Sequence, residues 1–443
     1  MHYKSLKKLL IALTAFCVIG AGVYSFEMRS KDACSFADTY SGEEMRSAET
    51  ILEANLGNVK GFLTSKEKKK ALETLLEIEK HTDLRRKEGE FFYGEKEEAL
   101  RNKFLDILDE ATVRAYPQEA DVSGFDEDIE VDLPENNKER VLKYFFRVLK
   151  TPQFHKFSKL YIDYMDNYDV ETYDEIIKLL TRAGIEDPQV YFCLLENYDV
   201  EQTQAVFRIN EKLELEEKQL FSKDGRGSVF RNFMKRFGED SKIKPFHEKD
   251  LLWKRIRSVI ETENLKKFDY VIVTTDGEDN SLASVIESPD GKRNGERWLL
   301  QVDSQDMGYE LEDTLIHEYG HYLTLNEKEV DYTDEYDLNR YCEVGLVAKE
   351  NSFINRFYQK FWKDYRISYT PTDHLFYIRH RSSFVSDYAA TDPAEDVAET
   401  FLHFVAGEKP KGNSIAEKKI LFFYEDKRLV KSRAHIRKQL GLD

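Results

Sequence analysis

Helical patterning through the first half of the chain and strand patterning just past its middle predict an α+β protein. The expected order is a mainly helical N-terminal domain, then a domain built on a small, mostly antiparallel sheet followed by helices. Between Ser47 and Phe237 apolar residues recur at helical spacing: Ala71, Leu72, Leu75 and Leu76 follow the cap residue Ser65, and Leu100, Phe104, Ile107 and Ala111 repeat the pattern. From Tyr270 onward short runs of β-branched and apolar residues take over, punctuated by Asp276, Gly277, Asn280, Pro289, Gly291 and Gly295.

With 443 residues the chain has room for two or three domains, each able to bury a core. Only 41% of the residues are apolar, which excludes a transporter or channel built of many apolar spans. The net charge of −18 repels phosphate backbones and no basic stripe offsets it, so a nucleic-acid partner is not expected. Cys17, Cys34, Cys193 and Cys342 are too few and too scattered for a disulfide scaffold or a paired-cysteine zinc site.

Residues 1–26 have the layout of an export signal. Lys4, Lys7 and Lys8 precede an apolar stretch from Leu9 to Val23, and small residues at Val23 and Ser25 allow cleavage before Phe26. The stretch is also nearly long enough to stay as a membrane anchor, so the chain is expected to be secreted or held at the outer face of the membrane. Neither Cys17 nor Cys34 has the small and aliphatic neighbours of a lipid-attachment cysteine.

Residues 27–240 are expected to form the helical domain, divided by an acidic linker between Glu119 and Glu135 that contains Gly124 and Pro134 but no Lys or Arg. Asn167 to Glu171 and Asn197 to Glu201 share the sequence Asn-Tyr-Asp-Val-Glu and read as two similar helix starts, too few for a solenoid. Residues 241–443 form the second domain. A helix over Lys249 to Thr262 leads to strands at Tyr270 to Thr275, Ser281 to Glu287 and Arg297 to Asp303, the last two joined as a long hairpin. Helices follow from Glu310, with an additional helical segment expected over Asp334 to Trp362. The strand ending at Asp303 is placed at the sheet edge, where an extended peptide could pair with it, although a plain edge fits the pattern equally.

The chemistry concentrates in Leu311 to Leu325. His317 and His321 stand four apart, with Glu318 beside the first and Leu315, Tyr319 and Tyr322 marking a buried stripe. On a helix that spacing stacks the two imidazoles on one face, where both can reach a single zinc ion. The Glu318 carboxylate is placed to take a proton from water at that ion. Gly320, costly inside a helix, suggests a close approach. A catalytic zinc site needs a third protein ligand and an open position. Thr324 and Glu327 stand where a third histidine on the same helical extension would require Gly and His, so the ligand must come from elsewhere.

Asp392 and Pro393 open a later helix whose Ala394, Val397, Ala398, Phe401 and Val405 are apolar. Glu395 and Glu399, four apart on it, would be costly to bury unless paired or metal-bound. Glu395 is the better ligand, and Glu399 suits the acceptor that orients an imidazole through its other ring N–H. Both could instead lie on a solvated face, as dipole partners in the first turns.

The run His317-Glu318-Tyr319-Gly320-His321, together with the segment from Tyr388 through Asp392, Glu395 and Glu399 to Phe401, resembles the catalytic domain of the gluzincin metallopeptidases related to anthrax toxin lethal factor and the Pro-Pro endopeptidases. The resemblance covers about Ser241 to the C-terminus. It implies a zincin-like fold with an active-site helix, Zn²⁺ held by His317, His321 and Glu395, Glu318 as general base, Glu399 supporting a ligand, and Tyr388 stabilising the oxyanion. It implies a metalloendopeptidase acting on a protein or peptide outside the cytoplasm. The chain departs from the family in the 73 residues separating His321 from Glu395 and in Glu rather than the commoner Asp at 399. A surface interaction protein with a structural zinc site is the alternative, and a cell-wall amidase a weaker one.

Other residues attract blander readings. His403 reads as a core histidine, His374, His380 and Arg381 as solvated loop positions, and Cys342 as an inert thiol.

Overall fold

A computed structural model describes residues 42–88, 94–119, 136–167, 170–197, 202–218, 246–275, 283–289, 294–307, 311–333, 336–337, 339–343, 345–369 and 374–443. The export segment at 1–26, nearly all of the acidic linker and the 241–245 junction lie outside these residues. Among the described residues no helix is long and apolar enough to cross a membrane.

The protein is α+β. Helices α1 (Gly42–Leu56), α2 (Ser65–Glu88), α3 (Glu95–Ala115), α4 (Asn137–Val148), α5 (Thr151–Asn167), α6 (Val170–Arg182) and α7 (Pro188–Asn197) come first. A hairpin of β1 (Gln202–Ile209) and β2 (Leu215–Glu217) follows, then α8 (Lys249–Val259), α9 (Thr262–Leu265), β3 (Phe268–Thr275), β4 (Ala283–Glu287) and β5 (Trp298–Asp303). Helix α10 (Leu311–Leu325) leads to short strands β6 (Val330–Tyr332), β7 (Cys342–Glu343) and β8 (Leu346–Ala348). Helices α11 (Phe353–Phe361), α12 (His374–His380), α13 (Pro393–Ala406), α14 (Ile415–Phe423) and α15 (Lys427–Leu440) complete the chain.

Two compact units result, residues 1–128 with 323–431 and residues 129–322 with 432–443. In the first unit, α1–α3 share a core with Ile367. The Asn55 amide donates to Asp364 O at 2.8 Å and Arg101 to Tyr369 O at 3.1 Å, while Arg379 pairs with Asp109. These helices fold onto late sequence because their apolar faces need a partner surface, and the chain supplies it more than 260 residues later.

The second unit holds a five-stranded sheet of order β2-β1-β3-β5-β4. Every pair is antiparallel except β3 with β5. One face is covered by α4–α7, whose Phe145, Phe157, Tyr164 and Phe192 pack with Tyr270, Ile272 and Leu299. The other receives α10, where Tyr322 meets Phe268 and Trp298 at ring distances of 5.0 and 5.8 Å. Asn137 at the start of α4 accepts the Thr203 amide at 2.7 Å, tying the helical layer to β1.

Several expectations are corrected here. The β1–β2 hairpin lies inside the stretch read as helical, because a strand covered on both faces loses its polar alternation: Val206 and Phe207 are adjacent and both buried. Its turn is set by Asn210, whose side chain accepts the Lys212 and Glu214 amides at 2.9 and 3.0 Å, and by Leu213 at φ 58°. Of the second Asn-Tyr-Asp-Val-Glu copy, read as a helix start, Asn197 is the last residue of α7 and the other four lie outside the described residues. Asp334 to Trp362 contributes β7 and β8 of a small antiparallel sheet of order β6-β8-β7 before its helix α11. Strand β5 is interior, paired with β3 and β4 and buried throughout, so it cannot accept another strand; the edge beside it is β4.

Candidate metal centre

Helix α10 carries Glu312 and Asp313 in its first turn, favourable at a helix N-terminus, and Arg255 pairs with Glu312 at 3.4 Å. Leu315, Tyr319 and Tyr322 form the buried stripe that the sequence predicts, and Leu311 and Ile316 are buried with them. Tyr319 anchors the helix from below. Its buried hydroxyl donates to Glu261, accepts from the Asn264 amide at 2.5 Å, and its ring stacks on Tyr322. Glu261 in turn accepts from Ser432 at 2.8 Å. Desolvation, then the adjacent Glu261 charge, pushes the Tyr319 phenol well above its ordinary range, so it serves only as a neutral hydrogen-bonding group.

With that stripe fixed, His317 and His321 stack as their spacing requires. Their Nε2 atoms are 3.1 Å apart and the rings are inclined at 73°. Two nitrogens bound to one tetrahedral zinc at about 2.0–2.1 Å would sit roughly 3.3 Å apart, so the imidazoles have close to a ligand spacing. His317 is buried, at 6% exposure. Beside it, Glu318 Oε2 accepts the Val285 amide of β4 at 2.9 Å. The carboxylate expected to act as base is thus tied to the sheet's edge strand.

Glu395 is placed by α13, whose start follows the sequence closely. Asp392 caps it, accepting the Ala394 amide at 2.6 Å, with Pro393 in the first turn. The apolar face buries Ala394, Val397, Ala398, Phe401 and Val405. Asp396, which sequence reasoning passed over, locks the same turn from inside. It meets Lys419 at 2.5 Å, accepts from Trp362 Nε1 at 2.7 Å and from Thr400 at 3.2 Å, and both ionic partners are fully buried.

A second overlooked group is Glu343 on β7. Burial first, then Asp392 through charge and a hydrogen bond, then the Glu395 charge, hold its carboxyl well above the usual range. Tyr341 donates to Asp392 at 3.3 Å from the same segment. The upward shift favours the neutral form of one of three crowded carboxyls, which lowers like-charge repulsion beside Glu395. Both groups come from a segment expected to be helical, and only the surplus of carboxylates around Asp392 could have signalled them.

One ring nitrogen each of His317 and His321 and one carboxylate oxygen of Glu395 all lie within 4.8 Å of one another. This donor set fits a catalytic zinc site, which takes two imidazoles and a carboxylate and leaves a position open. Glu399 accepts from the Ser386 hydroxyl at 2.6 Å. Tyr388 is half-buried and opens the tight turn Tyr388–Ala390 ahead of α13, its carbonyl accepting from Thr391 Oγ1 at 2.8 Å.

The remaining expectations divide. His403 is exposed near the end of α13, not a core residue. His374 to His380 form α12 instead of a loop, and His380 is buried against Tyr365 and Phe376, each at 4.8 Å. Arg381 pairs with Glu119 at 2.5 Å. Cys342 is half-buried, donates to Asp337 O at 3.1 Å, and burial pushes its thiol up, as an inert thiol requires. No family model matches the chain, and it matches no curated protein and no solved structure.

Proposed function

We propose that this protein is a zinc-dependent metalloendopeptidase with a zincin-like catalytic half, exported and acting on a protein or peptide outside the cytoplasm. The observation that carries the reading is the gathering of His317, His321 and Glu395 donor atoms within 4.8 Å, with the two Nε2 atoms 3.1 Å apart. Bound zinc supplies Lewis acidity for the scissile carbonyl and lowers the pKa of water toward neutrality.

The chain's own residues do the rest. Glu318 holds the proton taken from the attacking water on its carboxylate and returns it to the leaving amine. Its bond to the Val285 amide sets that carboxylate beside β4, the edge on which an extended peptide pairs. Tyr388 donates to the developing oxyanion and Glu399 orients an imidazole, the roles that the resemblance to gluzincins assigns them. Export rests on Lys4, Lys7, Lys8 and the apolar stretch to Val23.

The test pairs metal analysis with cleavage of a peptide library by the wild type and by Glu318→Gln. The proposal expects zinc in both proteins and cleavage by the wild type alone. Bound zinc with no cleavage would point to a structural site, and cleavage surviving the substitution would remove Glu318 as base.

A further inference from the structure

We propose that a strand-length peptide releases Glu318 by taking the backbone amide that holds it, so that short ligands leave the base engaged; this rests on the peptidase reading above. In an antiparallel pair, residues bonded to the partner strand alternate with residues whose N–H and C=O point away from it. The Ser288 amide donates to Arg297 O at 2.8 Å, and the register continues through Glu287 with Trp298, Ile286 with Leu299 and Val285 with Leu300. Ser288, Ile286 and Ser284 therefore bond toward β5, while Glu287, Val285 and Ala283 turn their backbone groups to the free edge. The Val285 amide accordingly donates outward, to Glu318 Oε2 at 2.9 Å.

A peptide that extends the sheet past β4 needs that same N–H for one of its own carbonyls. The two acceptors compete, because one N–H makes one well-aligned bond. Glu318 is 9% exposed, and burying a carboxylate away from its donors is costly. It is also a charged acceptor, which makes a stronger bond than a neutral carbonyl does. A lone carbonyl therefore loses the exchange. Displacement requires a ligand that forms several ladder bonds together, one spanning the outward groups of Ala283, Val285 and Glu287 along the five residues of β4. When such a ligand pairs, Oε2 leaves the edge and becomes available to the attacking water. Backbone length, independent of side chain, thus decides which peptides free the base.

Binding of a fluorescent extended peptide and of its dipeptide fragment is measured with full-length Glu318→Ala and Glu318→Gln, matched in zinc content. Gln keeps an acceptor for the Val285 amide, whereas Ala leaves that amide to the peptide. Glu318→Ala should bind the extended peptide about fivefold tighter than Glu318→Gln, the worth of one neutral hydrogen bond, and the dipeptide no tighter. Adding Val285→Pro, at an edge position whose N–H points outward, should erase the difference. Equal binding of the extended peptide by the two variants, binding of no peptide, or a difference that survives Val285→Pro in proteins of unchanged melting overturns the release. Wild-type cleavage of the extended peptide separates the two ideas. Tighter binding by Glu318→Ala without wild-type cleavage leaves the exchange standing and sinks the peptidase; cleavage with equal binding by the two variants does the reverse.

Discussion

Replacing Lys419 by Met tests how the helix bearing Glu395 is held. Lys419 and Asp396 are both 0% exposed and paired at 2.5 Å, with the ammonium 3.7 Å from the Phe384 ring centroid. Burial pushes Asp396 up and Lys419 down despite their mutual attraction, so desolvation outweighs the pairing energy for each. Removing the cation leaves Asp396 with the Trp362 and Thr400 donors and no counter-charge. Breaking a buried pair in this way costs about 3–5 kcal/mol. The stranded carboxyl then gains by taking a proton. Because its folded pKa stands above its unfolded value, the native variant binds more protons than the unfolded chain in the window between them, and the deficit shrinks as pH falls toward that window. Urea unfolding of wild type, Lys419→Met and the double variant with Asp396→Asn, at pH 7 and pH 5, reads all three effects. The double variant, lacking both charges, should recover most of the loss. A single-variant cost under about 1 kcal/mol, a deficit unchanged by pH, or no recovery in the double variant would refute the reasoning.

Gly57, at φ +44°, would set a Cβ against Arg379 O and 2.6 Å from His380 Nδ1, so Gly57→Ala should cost about 2–4 kcal/mol in denaturant unfolding. His380 is held well below its ordinary pKa by burial, then by the Arg379 and Lys419 charges. The unfolded chain binds the proton first, so this contribution is complete above the unfolded value near 6.5 and is lost as pH falls below it; His380→Gln should flatten the acid limb of a stability–pH curve. Tyr319→Phe removes the hydroxyl joining Glu261 and Asn264 and should cost about 1–3 kcal/mol, read by thermal melting.

How much was legible in the sequence depends on whether a feature is local. The cap Asp392, Pro393 and the apolar face of α13 are decided within a few residues and appear as read, as does the stripe on α10. Strands β3, β4 and β5 were also visible, because Gly, Pro and Asn punctuate β-branched runs. Strand order was not. Nothing in Trp298 to Asp303 reveals that β4 folds back outside it, yet this moves the free edge from β5 to β4. The β1–β2 hairpin was missed because a strand buried on both faces loses its period of two. The Asp396–Lys419 pair was invisible for a different reason: a charged residue reads as solvated until a partner 23 positions on and an aromatic wall bury it. His317 and His321 needed only helical spacing, whereas Glu395 had to be chosen by carboxylate chemistry among many acids.

Zinc binding by the full-length chain, compared with Glu395→Ala, bears most directly on the proposed centre. Convergence of His317, His321 and Glu395 on one ion predicts a single zinc per chain by elemental analysis. Competition with a chelator should then show roughly a hundredfold or greater loss of affinity in the variant, with its fold intact by circular dichroism. Zinc held equally tightly without the Glu395 carboxylate, or no zinc held by the wild type, would contradict it.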